Sequence, residues 1–186
     1  LVDLPGQGSF ECDEPAERPA EAALSGQVRA LVEVAANPRF VIADDWPHGV
    51  PAQMFTQFAD GLRTDYRRTI ERFLALEAHG SDRAQAELRE LKVGVFAHGE
   101  PALTALCQGL EVLERTDLRA RLTELRVPNL WIAGRRDRLI PPAAMAWAAA
   151  QSPRGKFMEF SAGHAPFLGH AAEVADAIAV FVEASP

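Results

Sequence analysis

Cysteine is scarce in this sequence, and the shortage excludes two chemistries. Cys12 and Cys107 are the only two in 186 residues. They stand far apart and outside any metal-ligand spacing, so neither a disulfide framework nor a cysteine-based metal centre is expected, and reduced thiols in the cytoplasm are. Long apolar runs are missing too: none approaches the roughly 18 residues needed to cross a bilayer, so no membrane association is expected. Leu1 to Gly6 has no basic stretch, so no secretory signal is read there. Positive charge is in deficit, with 19 Lys and Arg against 26 Asp and Glu and a net charge of −7. That balance argues against general nucleic-acid binding. Gly6-Gln7-Gly8 is too short for a dinucleotide fingerprint, and no His, Cys or carboxylate cluster has metal spacing, so no cofactor is expected. Internal repeats and low-complexity tracts are absent. What remains is 48% hydrophobic and 24% charged, the balance of one globular domain with a sizeable core.

The pattern of that remainder alternates. Leu1–Leu4 reads as the end of a strand closed by Pro5-Gly6-Gln7-Gly8, residues 9–19 as irregular, and Ala20–Leu24 as a turn or two of helix. Val28–Val34 predicts a largely buried strand. From Asp44 to about Arg126 the character turns helical. Helices are predicted over Pro51–Leu62, from an N-cap at Thr64 to Glu77 or Ala78, from an N-cap at Ser81 to Phe96, and over Ala102–Glu114. The last carries Leu103, Leu106, Leu110 and Leu113 on one face. After Arg126 come a strand over Val127–Ala133, a helix over Ala143–Gln151, a strand over Lys156–Phe160 and a closing helix over Ala171–Glu183. Apolar strands alternating with helices predict an α/β protein with a mostly parallel sheet covered on both faces. Residues 1–43 and 127–186 are expected to form the core, and 44–126 an inserted helical subdomain.

Two loop residues carry the strongest chemical signal. Asp137 stands four residues past Ala133, and His164 four past Phe160. Both loops then lie at the carboxyl edge of a parallel sheet, where such folds build their sites. A carboxylate there can accept the imidazole N–H, fix its tautomer and stabilise the imidazolium formed when the base takes a proton. Asp137 could instead pair with Arg135, Arg136 or Arg138 as solvated charge. His170, at the start of the closing helix, is the competing base and is expected to cap that helix or face solvent. Cys107 reads as a small buried apolar residue.

Gly134-Arg135-Arg136-Asp137-Arg138-Leu139-Ile140-Pro141 and Gly163-His164-Ala165-Pro166-Phe167-Leu168-Gly169-His170 resemble the acid and histidine motifs of the α/β-hydrolase fold. Leu1–Gly8 is similar to the loop after that family's fourth strand, and the helical insertion matches its cap. Tyr66-Arg67-Arg68-Thr69-Ile70-Glu71-Arg72-Phe73-Leu74-Ala75-Leu76 resembles the cap of one branch, the pimeloyl-acyl-carrier-protein methyl ester carboxylesterases of biotin synthesis. Asn37–Phe40, Asp45-Trp46-Pro47, Gly109-Leu110 and Asp117-Leu118-Arg119 extend the likeness.

The resemblance implies a serine carboxylesterase with Asp137 and His164 as catalytic acid and base. It implies a substrate channel at Phe73, Leu74, Ala75, Leu76 and Glu77, and carrier-protein recognition by Arg68, Arg72 and Arg89. One position of that arginine set is Gln85 here, with Arg83 close by. Periodicity alone reads Phe73, Leu74 and Leu76 as ordinary helix packing, and the arginines as a solvated face laced by Glu71, Asp82, Glu87 and Glu90. The implied substrate is a methyl ester of a dicarboxylic acyl chain on acyl carrier protein, with methanol as product. A monomer is expected.

One part of the pattern is missing. Such an esterase needs its nucleophile in Gly-x-Ser-x-Gly on a strand-to-helix turn, and the 186 residues contain no such pattern. Ser9 and Ser25 each adjoin a glycine but lack the rest of it. His48-Gly49, His79-Gly80 and His98-Gly99 fall in the helical insertion and do not replace an early oxyanion strand. By comparison with the family, about three leading strands and about thirty residues between Gly8 and Gln27 are wanting, the latter where the nucleophile would lie. A serine outside this sequence is expected to supply it. The alternatives are a non-catalytic or truncated relative that binds an acyl ligand or carrier protein, or another capped hydrolase such as a lactonase or C–C bond hydrolase.

Overall fold

A computed structural model describes residues 28–97, 99 and 102–185. The readings made for Leu1–Leu4, Pro5–Gly8, Ser9, Cys12, Ala20–Leu24 and Ser25 lie outside them. In chain order the elements are β1 (Leu31–Val34), α1 (Gln53–Thr64), α2 (Tyr66–Glu77), α3 (Ala84–Phe96), α4 (Leu103–Arg115), a 3-10 turn (Arg119–Glu124), β2 (Asn129–Gly134), α5 (Pro142–Gln151), β3 (Gly155–Phe160), the one-turn α6 (Pro166–Gly169) and α7 (Ala171–Glu183).

The three strands are parallel, in the order β1-β2-β3. β2 lies between the other two and is buried at every position, which is why its sequence is apolar without alternation. Its successive side chains still divide by face. Leu130 and Ile132 pack with Val174 and Phe181 of α7, while Trp131 and Ala133 pack with Met145 and Ala148 of α5. Burial of a side chain such as Ile132, which has no exposed surface, stabilises by about 2–3 kcal/mol. Pro142 starts α5 at the first helical position, where its fixed φ suits the helix and its missing N–H costs nothing.

Local chemistry moves several predicted boundaries. β1 is shorter than Val28–Val34 and half-buried rather than buried, because among the described residues it pairs with β2 alone. Thr64 does not cap α2. It ends α1, with its hydroxyl donating to the Asp60 carbonyl at 2.8 Å. Asp65 is the cap, accepting the Arg68 N–H at 3.1 Å. Ser81 precedes α3 instead of capping it: its hydroxyl accepts the Arg83 N–H at 3.1 Å and donates to the buried carboxylate of Glu87. Cys107 is half-buried, and Leu103 is exposed at the start of α4. No helix of the described residues is long and apolar enough to cross a membrane.

Between β1 and β2 the four helices pack on one another, α1 against α2 and α4, and α2 against α3. The two chain segments that lead into and out of this block are clasped together. Arg39 donates to Asp117 at 2.6 Å, Arg119 to Asp117 at 2.8 Å and to Asp45 at 3.0 Å. The Leu118 N–H donates to the Pro38 carbonyl at 2.8 Å. Trp46 fills the middle. Its indole donates to the Arg39 carbonyl at 2.8 Å, Arg119 lies over its ring, and Trp147 of α5 meets it edge-on.

Glu33 on β1 is the core's polar anomaly. Its Oε2 has no hydrogen-bond partner among the described residues. Burial pushes its carboxyl up to about 7, partly offset by its own backbone N–H. A carboxyl raised in the folded state gives stability that is complete below the unfolded value and fades as pH rises through about 7. Glu33→Gln is therefore expected to stabilise the fold by about 2 kcal/mol at pH 8 and to change little at pH 4, as read from denaturant midpoints at the two pH values.

Candidate active site

The site is built where two loops leave the carboxyl ends of β2 and β3. Two glycines permit the packing here, Gly134 between the two loops and Gly163 between the histidine loop and the end of α2. A Cβ on Gly134 would stand 1.8 Å from the Gly163 carbonyl oxygen, and one on Gly163 would stand 2.4 Å from the His79 carbonyl oxygen. Backbone bonds close the gap: Arg135 N–H donates to the Phe160 carbonyl at 2.8 Å and Arg136 N–H to the Ala162 carbonyl at 2.9 Å.

This contact places Asp137 beside His164. Asp137 Oδ2 is 2.8 Å from His164 Nδ1. Its other oxygen accepts the backbone N–H groups of Leu139 at 2.7 Å and Ile140 at 2.9 Å. With its side chain fully buried and each oxygen partnered, the carboxylate is fixed in one orientation and favours the tautomer with the proton on Nδ1. The alternative pairing with neighbouring arginines does not form. Arg135 binds Glu159 at 2.8 Å, and Arg136 binds Asp82 at 3.0 Å and the Ser161 carbonyl at 2.8 Å.

The far side of the imidazole faces the helical block. The His164 backbone N–H donates to the Glu77 carbonyl at 3.2 Å, and the Glu77 carboxylate lies 3.9 Å from Nε2. His164 is thus flanked by two acids. Burial alone would lower its pKa, but the Asp137 hydrogen bond and the charges of Asp137 and Glu77 outweigh burial, and the net shift is upward. Glu77 is itself raised, chiefly by burial, with His164 pulling it down and Asp137 pushing it up.

Of the other residues singled out in the sequence, Phe73 is half-buried and packs its ring 5.3 Å from that of Phe58. Leu74 is buried, Leu76 half-buried and Ala75 exposed. Glu77 is the member of that run brought to His164. Arg68, Arg72 and Arg89 are exposed and form no ion pair among the described residues, while Glu71 is held by Arg67 and Lys92, Asp82 by Arg136, and Glu87 by Ser81. Three of the four acids expected to lace the arginine face are therefore engaged elsewhere. His170 opens α7 without a side-chain cap bond; it lies 3.5 Å from Glu173 and 3.4 Å from the Ser161 carbonyl. Sequence reasoning missed the tie from Arg136 to Asp82 and Ser161, since a loop arginine beside an acid suggests a local pair first. Among the described residues, no group of three or more His, Cys, Asp or Glu is placed to hold a metal.

Solved structures share this architecture. An esterase, EaEST, from Exiguobacterium antarcticum superposes with a TM-score of 0.73 at 17% identity over 83% of this chain and 57% of its own. A bromoperoxidase from Bacillus anthracis does so with 0.73 at 20% identity over 83% and 58%. These likenesses show the α/β-hydrolase fold, here with an incomplete sheet. The sequence is similar to the pimeloyl-acyl-carrier-protein methyl ester esterase of Xanthomonas campestris pv. campestris (strain B100), at 53% identity over 166 residues, 89% of this chain. The chain spans 66% of the length of that relative. No family model matches the chain.

The geometry predicts a titration. His164, followed by NMR, should titrate above the free-histidine value, and Asp137→Asn should bring its pKa down. An unchanged His164 titration in the Asn variant would show that Asp137 does not control it.

Proposed function

We propose that this chain carries the acid–base machinery of a serine carboxylesterase whose substrate is a methyl ester of a carrier-linked dicarboxylic acyl chain. One observation carries the reading: His164 has Nδ1 held by a buried, fully partnered carboxylate, leaving Nε2 as its working nitrogen. The 53% identity to a pimeloyl-acyl-carrier-protein methyl ester esterase supports the substrate class and the place in biotin synthesis.

In this mechanism Nε2 takes the hydroxyl proton of a serine as its oxygen attacks the ester carbonyl. The imidazolium, stabilised by Asp137, returns that proton to the departing methoxide, and methanol leaves. Water then repeats the sequence on the acyl-enzyme, releasing the free carboxylate and the serine. Backbone N–H groups would hold the oxyanion. The 186 residues hold no Gly-x-Ser-x-Gly, so the reading assigns the nucleophile to a serine this sequence does not contain.

Residues 44–126 act as the cap over a core of 1–43 and 127–186. Phe73, Leu74, Ala75, Leu76 and Glu77 form the segment beside the acyl chain. Arg68, Arg72 and Arg89 receive the carrier protein, and their exposed charge, unpaired among the described residues, on a chain of net −7 is what an acidic partner would find. The missing serine motif favours a second reading, a relative that binds the acyl ligand or carrier without turning it over.

Ester turnover separates the two. Hydrolysis of a p-nitrophenyl ester by the purified protein should fall at least a hundredfold in His164→Ala. Equal rates would remove His164 from the mechanism, and no turnover by the wild type would favour the binding reading. An intact mass well above 20.2 kDa would accommodate the serine. For the carrier, reversing charge at Arg68 and Arg72 together should raise KM for a carrier-linked ester roughly tenfold while sparing a small ester; an equal effect on both substrates would refute carrier recognition there.

A further inference from the structure

Glu77, placed above only in the segment beside the acyl chain, is a largely buried acid whose position gives it a further part. It ends α2, and its backbone is tied to the histidine loop through the His164 N–H. Its carboxylate stands 3.9 Å from Nε2, on the side of the ring that Asp137 does not use. Any reacting group must come within hydrogen-bond reach of Nε2, about 3 Å, so it must also come close to Glu77. The Glu77 side chain is 17% exposed, which leaves little water to screen the two charges.

We infer that Glu77 is a specificity-determining residue that admits a neutral ester to His164 and repels a carboxylate, whether the free-acid end of an acyl chain or the product of hydrolysis. The inference rests on the esterase reading. Ester and acid differ by one negative charge at the reacting carbon, and hydrolysis creates that charge where Glu77 disfavours it. A carboxylate at Nε2 would lie within about 7 Å of Glu77, where like charges at an effective dielectric near 20 repel enough to weaken binding roughly tenfold or more. The titratable and charged groups that act on Glu77 are His164 and Asp137. Asp137 adds to the repulsion, and a protonated His164 opposes it. Arg136, a cation of the acid loop, is occupied by Asp82 and the Ser161 carbonyl.

The test compares two inhibitors of p-nitrophenyl ester hydrolysis at pH 8, butyrate and its uncharged isostere butyramide. The ratio of their inhibition constants should favour butyramide in the wild type. It should fall about tenfold in Glu77→Gln, and stay near the wild-type value in Glu77→Asp, which keeps the charge. Glu77→Met, equally uncharged, should repeat the Gln result and stands in if the Gln variant misfolds. A ratio unchanged in the uncharged variants, or shifted equally in the Asp variant, overturns the inference and leaves esterase activity standing. Failure of the wild type to hydrolyse the ester overturns the esterase reading and takes this inference with it.

Discussion

Everything chemical in this molecule depends on how closely two loops can lie. β2 and β3 are neighbouring parallel strands, so their carboxyl ends emerge side by side. That alone leaves the loops free to diverge. They are held in contact because Gly134 offers backbone where any other residue would place a Cβ against the histidine loop, as Gly163 does where that loop meets the end of α2. From this contact follow the hydrogen bonds of Arg135 and Arg136 to the histidine loop, and the 2.8 Å approach of Asp137 to His164. A methyl group at Gly134 would push apart the acid and the base, and a hydrogen bond has little tolerance for such a shift.

The helical block is attached at two places of different character. At its base, Arg39, Asp45, Asp117 and Arg119 form a network around Trp46, with two arginines sharing one carboxylate. Those pairs hold Asp117 well below the usual carboxylate range, chiefly through the Arg119 hydrogen bond, though their exposure limits what they add to stability. Trp46, buried and edge-on to Trp147, supplies the apolar part of the joint. At its other end, α2 touches the site through the Glu77 carbonyl, and Asp82 reaches Arg136. Arg136 thus joins the acid loop, the histidine loop and the helical block through one side chain.

Much of this was legible before any coordinates. Unbroken apolar runs gave β2 and the parallel, two-sided sheet, because a strand buried on both faces has no polar face to show. Asp137 and His164 could be paired from their equal offsets past two strand ends. Boundaries were less legible where competing hydrogen-bond partners sit side by side: Thr64 and Asp65 both suit a helix cap, and the carboxylate took it while the hydroxyl turned back onto its own helix. β1 read as buried because its residues are apolar, yet burial depends on neighbours that periodicity cannot count. Least visible was the partnership of Glu77 with His164. It joins residues from different layers, and helical spacing assigned Glu77 only to the end of a helix.

That partnership alters how the histidine should be viewed. A single buried acid behind an imidazole sets its tautomer and steadies the cation formed in proton transfer. A second acid on the opposite side does something different, since it shares the space any ligand must occupy. Charge near Nε2 stabilises the imidazolium and so raises the histidine, which makes the base stronger but leaves less of it unprotonated near neutral pH. The same charge acts on what arrives, disfavouring anions and leaving neutral esters unaffected. On the esterase reading proposed above, in which product differs from substrate by one negative charge, that cost to the resting base is offset by easier release of the product.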